Sequence, residues 1–311
     1  MSGPAAGGTG AAPRRARLLT ALSVVVGVAV LVGGAVVVAD RWDEVSRALT
    51  TIGWPAAVAS LLLTTAGVVS TGECWRLWLA ALGGRPGAWT AHRVFYLTQA
   101  GKYVPGSLWP VLAQAALARR YGVPRPAMVA ASTLFLLLHT VTGVLVGAVG
   151  VGATVASRWA WLVVPVAVVG VVVLAPPVLS RLLGLLARWR PSLATASPGW
   201  SVVGATTALM LLAWACYGGA TWLLLRPLED GDQALPLAVG GYALAWVVGF
   251  LAVAAPAGVG AREAVVVVVL GPLVGVSAAL SVALVSRVAL TVADLGLAAL
   301  SAGVLRERPP S

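Results

Sequence analysis

Apolar residues fill this chain in blocks long enough to cross a bilayer, separated by short polar stretches that hold nearly every charge. The first block, Leu18 to Ala39, spans roughly 33 Å at about 1.5 Å per helical residue. Asp40, Arg41, Asp43, Glu44 and Arg47 form a loop before a second block, Trp54 to Ser70. That block continues through Glu73, Cys74, Trp75 and Arg76 toward a basic loop with Arg85 and Arg93. Further blocks run Ala127 to Val151, Trp161 to Leu179, Trp200 to Leu225, Ala234 to Ala255 and Val276 to Val304.

Two apolar regions are interrupted. One carries Lys102-Tyr103-Val104-Pro105-Gly106-Ser107-Leu108-Trp109. The other reads Pro256-Ala257-Gly258-Val259-Gly260-Ala261-Arg262-Glu263 and leads into Ala264 to Leu270. Backbone freed by such breaks survives at membrane depth only where protein or a wet cavity covers it. Each break therefore predicts a folded-back hairpin instead of a plain span.

Charge turns these blocks into a topology. Arg76, Arg85 and Arg93 precede the first broken region, and Arg119, Arg120 and Arg125 follow it. Basic flanks favour the cytoplasmic side, so this segment enters and returns as a re-entrant hairpin. The same rule places Arg14, Arg15, Arg17, Arg181, Arg188, Arg190, Arg306 and Arg308 in the cytoplasm, with an acidic external loop at Glu229, Asp230 and Asp232. The expected fold is an all-α polytopic integral membrane protein with about six full spans and two re-entrant broken-helix hairpins. Residues 1–17 are expected to be a disordered cytoplasmic N-terminus, 18–305 one membrane domain, and 306–311 a cytoplasmic tail. Both termini face the cytoplasm of a cell (inner or plasma) membrane in this threading.

The spans also repeat. Leu18 with Trp161, Trp54 with Trp200, Pro105 with Pro256, and Ala127 with Val276 are offset by 143, 146, 151 and 149 residues. The halves, about 18–151 and 159–305, each read span, span, broken hairpin, span. Three full crossings in the first half would invert the second, and paired breaks in inverted halves point to a substrate site near the midplane.

Composition agrees with the pattern: 59% of the 311 residues are hydrophobic and 10% are charged. A net charge of +11 could suggest nucleic acid, but the arginines stand at segment ends, where they set orientation and meet anionic headgroups. Nucleic acid is excluded as a partner. Cys74 and Cys216 show no metal or redox spacing, and no cofactor is expected.

The breaks hold the candidate chemistry. Lys102 is the one lysine in the chain, set at membrane depth, where a charge costs about 2.5–3.5 kcal/mol on insertion scales. Gly258-Val259-Gly260 opens a helix whose free amides and positive dipole end favour an anion, and Arg262 adds a bidentate donor suited to phosphate. Glu263 lies in that first turn, either balancing the dipole or meeting an amine or hydroxyl headgroup. Arg287 and Asp294 are two turns apart, too far to pair directly, so each should meet a residue elsewhere, with Glu73, Glu263 and Lys102 available. Glu73 and Arg76 also suit an i,i+3 pair on one helix face. His92 and His139 are isolated in sequence and read as packing residues.

The two broken stretches resemble the signature motifs of the lysylphosphatidylglycerol synthase transmembrane-region family, and Arg76 and Arg287 resemble family positions. The likeness covers about residues 18 to 305. It implies an integral membrane protein related to the domain that moves aminoacylated phospholipid between leaflets. Those synthases also carry a soluble aminoacyl-transferase domain. No polar stretch here is long enough for one, so lipid lysylation by this chain is not expected.

The reading that follows is a lipid flippase or transporter, not an enzyme, because no clustered nucleophile, acid pair or metal set appears. Its expected site comprises Lys102, Tyr103, Pro105, Gly106, Trp109, Pro256, Gly258, Gly260, Arg262, Glu263, Arg287, Asp294, Glu73 and Arg76. Its expected partners are membrane lipids, anionic phospholipid or glycolipid, with a homo-oligomer or a membrane enzyme as further partners. The alternative is a non-catalytic scaffold for a lipid-modifying enzyme or glycosyltransferase.

Overall fold

The computed structural model describes residues 42–103, 109–152, 163–187, 198–229, 231–252 and 258–302. The block Leu18 to Ala39, the turn residues Pro105, Gly106 and Pro256, the N-terminus and the tail lie outside these. Among the described residues every regular element is a helix. They are α1 (Trp42–Ile52), α2 (Trp54–Ala81), α3 (Ala88–Gln99), α4 (Trp109–Leu117), α5 (Arg125–Gly152), α6 (Val163–Leu174), α7 (Pro176–Ala187), α8 (Trp200–Leu225), α9 (Ala234–Leu251), α10 (Ala261–Val274) and α11 (Val276–Ser301). Five of them, α2, α5, α8, α9 and α11, are long and apolar enough to cross a membrane. The protein is an all-α, multi-pass membrane protein.

Two expectations shift. Within the stretch 40–47, read as a loop, residues 42–47 belong to α1, which buries Leu49 and Ile52 and packs mainly on α11. The second block continues past Ser70 as expected, and α2 runs unbroken to Ala81 with Glu73 and Arg76 on its last turns. The block Trp161 to Leu179 is not one helix. Pro176 and Pro177 end α6 and start α7, because proline offers no N–H to the preceding turn and its ring clashes with the carbonyl four residues back.

Helix packing is reciprocal between the halves. The second span of each half, α2 and α8, forms the most extensive contact in the protein. The last span of the first half, α5, packs on α9 of the second hairpin, and the last span of the second half, α11, packs on α3 of the first. Two structurally related halves would give this pattern. α5 and α9 approach closely where Gly150 and Gly240 face one another, and a Cβ on either would strike the opposite backbone.

Both hairpins fold back on themselves. In the first, α3 continues as a single 3-10 turn, Ala100–Tyr103, and returns as α4, which packs on α3. In the second, α9 packs on α10. Gly258 and Gly260 take φ of 71° and 83°, which L side chains rarely adopt, and these turns aim the start of α10 at the centre of the protein. The Glu263 carboxylate accepts the Gly260 N–H at 2.6 Å, the half of a capping box that a glycine N-cap allows.

Candidate functional site

Where the two hairpins meet, helix α11 holds one charge for each. Asp294, 2% exposed, accepts from Lys102 Nζ at 2.6 Å and from Tyr103 Oη at 2.8 Å, which ties the 3-10 turn of the first hairpin to α11. Seven residues earlier, Arg287 Nη1 meets Glu263 Oε1 at 2.5 Å and ties the second hairpin to the same helix. Neither pair is local in sequence, and both satisfy the expectation that Arg287 and Asp294 find partners elsewhere.

Arg262 is left over. It lies one residue from Glu263, and among the described residues no carboxylate pairs with it and its Nε lacks a hydrogen-bond partner. Its guanidinium stands over the Trp246 indole, 6.0 Å from the ring centroid. Its aliphatic stem runs against α9 at Gly249, where any Cβ would collide with it. Two cations and two anions cancel in the pairs above, so the centre keeps one positive charge.

That charge faces a cavity with about 90 Å³ available to the centres of water molecules, room for several by the volume a buried water requires. Lys102, Asp294, Gly258 and Arg262 line it. The α9 wall supplies Tyr242, Trp246 and Phe250, with Tyr217 stacked on Tyr242 at 5.4 Å. The α5 wall supplies Phe135 and His139, whose imidazole stacks on Trp246 at 3.7 Å between centroids. A polar corner is built from α3, α4 and α5: Gln114 Nε2 donates to Thr98 Oγ1 at 3.1 Å, and Ser132 Oγ donates to Gln114 Oε1. A smaller cavity is lined by Arg262 together with Glu263 and Arg287.

The expected residues therefore separate. Lys102, Gly258, Arg262 and Asp294 line the main cavity, and Tyr103 and Gly260 position them. Glu263 and Arg287 are consumed by each other, so Glu263 acts as a cap and counterion. Trp109, 46% exposed, is not part of the lining. Glu73 and Arg76 form their own cluster: Arg76 is bidentate on Glu73 at 2.6 and 2.5 Å, and His92 Nε2 joins it at 2.9 Å. The i,i+3 reading of that pair holds, and His92 is not isolated, since its other ring nitrogen meets Tyr96 Oη at 3.0 Å. Pro105, Gly106 and Pro256 fall outside the described residues. Among the described residues no group of three or more His, Cys, Asp or Glu could hold a metal.

The sequence reading missed the aromatic wall. Tyr242, Trp246 and Phe250 recur every four residues on one face of α9, from its middle to the end that leads into the second break. That spacing was the available signal.

The model of the lysylphosphatidylglycerol synthase transmembrane region matches residues 21–297. The chain belongs to this family. No curated protein matches it. Membership in the lysylphosphatidylglycerol synthase transmembrane-region family supports a role connected with membrane lipids.

Proposed function

We propose that this protein moves an anionic lipid headgroup between leaflets, with Arg262 as the group that receives the phosphate. The observation that carries this reading is the guanidinium of Arg262, unpaired among the described residues, in a cavity lined from both hairpins. A phosphate leaving water loses hydration that must be replaced, or the charge becomes prohibitively costly. Arg262 offers a planar bidentate fork, and the first-turn amides of α10 lie at a positive helix end. Lys102 stands in the same lining, and its pairing with Asp294 would let it share charge with an incoming anion without being stranded beforehand.

In this reading the protein works in the cell membrane with both termini cytoplasmic, makes and breaks no covalent bond, and needs no cofactor. The cavity receives a headgroup while the acyl chains stay in the lipid. The test is leaflet exchange of a fluorescent anionic phospholipid in vesicles holding the purified protein. Wild type should speed exchange well above protein-free vesicles, and Arg262→Gln should lower the protein-dependent rate at least about tenfold. No acceleration by wild type would overturn the reading and favour the scaffold for a lipid-modifying enzyme.

A further inference from the structure

His139 is the unexplained group in the cavity. Its side chain lies in the protein centre at 5% exposure, and neither ring nitrogen has a hydrogen-bond partner among the described residues. Buried polar atoms are nearly always satisfied, and a native exception calls for a function or a missing ligand. Packing explains where the ring sits, between Trp246 and Trp214, but not why it is a histidine. Phenylalanine would fill the same aromatic slot without two unmet nitrogens.

From this geometry we infer that the cavity selects an anionic phosphate ester bearing hydroxyls, a polyol or sugar headgroup, with His139 and Gln99 reading the hydroxyls while Arg262 holds the phosphate. The inference rests on the proposed function and names its substrate class. An imidazole presents one N–H and one bare nitrogen, and an amide presents both kinds of group as well. Hydroxyls both donate and accept, so they match these partners. Gln99, at the end of α3, also lines the cavity, and its side chain makes no hydrogen bond among the described residues. Gln114 and Ser132 extend this neutral polar surface.

A cationic headgroup fits poorly. It needs a free carboxylate, and the one in the lining, Asp294, already accepts from Lys102 and Tyr103. It would also meet the unpaired Arg262. A phosphate ester without hydroxyls would satisfy Arg262 but leave His139 and Gln99 unmet. A single headgroup suits both groups, because His139 and Arg262 line the same cavity and each contacts the same indole, at 3.7 and 6.0 Å from its centroid.

The test uses the full chain in phosphatidylcholine nanodiscs and calorimetric titration with dihexanoyl lipids. Phosphatidylinositol and phosphatidylethanol carry the same phosphodiester charge and differ in hydroxyls. Wild type should bind the inositol lipid at least about tenfold more tightly. In His139→Phe, which keeps an aromatic ring against Trp246, that gap should fall below about threefold, with phosphatidylethanol affinity held within about twofold. Gln99→Leu, on a different helix, should narrow the gap in the same way, so a folding failure of one variant leaves the other decisive. Arg262→Gln should weaken both lipids together.

Equal binding of the two lipids by wild type would overturn the hydroxyl inference and leave the anion reading standing. Tighter binding of phosphatidylethanolamine would overturn it as well. No binding of either anionic lipid would instead overturn the proposed function. Inositol 1-phosphate binding as tightly as the inositol lipid would support the hydroxyl chemistry but make the ligand a soluble phosphate.

Discussion

The two hairpins are built alike and charged differently. Each carries glycine and proline at its interruption in the sequence, each folds back on itself, and each is tied to α11 by one ion pair. In the first hairpin the cation comes from the hairpin and the anion from α11, as Lys102 on Asp294. In the second the roles are exchanged, as Glu263 on Arg287. The second hairpin then adds Arg262, for which the described part of α11 holds no counterpart. The pairs hold the frame, and the surplus charge is what a ligand can use. Charge in a membrane centre is costly, so an unpaired Arg262 is the feature that structure alone does not account for.

The largest effect should come from breaking the first pair. Asp294→Asn strands Lys102 and should lower stability by about 3–5 kcal/mol, read as a fall in thermal unfolding temperature in detergent. Adding Lys102→Met should recover most of that loss, since a buried pair replaced by apolar groups is often neutral. If the single variant unfolds like wild type, the first hairpin is not held by this pair.

The second pair should matter less, because neither of its members is as deeply buried as Asp294. Arg287 and Glu263 keep 17% and 13% of their side-chain surface, against 24% for Lys102 and 1% for Asp294. Glu263→Gln retains an oxygen to accept the Gly260 N–H but loses the charge facing Arg287. The expected loss is about 1–3 kcal/mol. A loss as large as that of Asp294→Asn would erase the contrast between the hairpins.

The apolar helices were legible in the sequence because their blocks are long enough to cross a bilayer, whereas the orientation proposed from the arginines awaits a labelling test. Single cysteines at Arg85, Arg120, Arg188 and Arg308 should be shielded from an impermeant external reagent, while one at Asp230 should label. Labelling at Arg120 but not Arg85 would mean that the first hairpin crosses fully and the inverted relation of the halves fails. The partnerships were not legible. Lys102 reaches Asp294 across almost two hundred positions, and charge alone offered Lys102, Arg262 and Arg287 as one positive field. Folding divides that field: two of the three are neutralised, so Lys102→Gln and Arg287→Gln should cost stability where Arg262→Gln should not. His139 was read as packing because a lone histidine gives no local signal, and its unmet nitrogens exist only once α5 and α9 are packed together.

The smallest predicted effect isolates position from charge. Gly249 faces the Arg262 stem, and Gly258 packs on the Gly249 backbone, so both ends of the second break meet at one glycine. Alanine at 249 keeps every charge in place and adds one methyl group where no space exists. Overpacking of this kind costs about 1–3 kcal/mol, and the low end is expected because a long arginine side chain can give way. Moving the guanidinium off Trp246 should slow anionic-lipid exchange a few-fold, less than Arg262→Gln. A variant that loses stability at normal exchange rates would show that the guanidinium need not sit over the indole. Reduced exchange with near-normal unfolding temperature would show that where Arg262 points matters as much as its being unpaired.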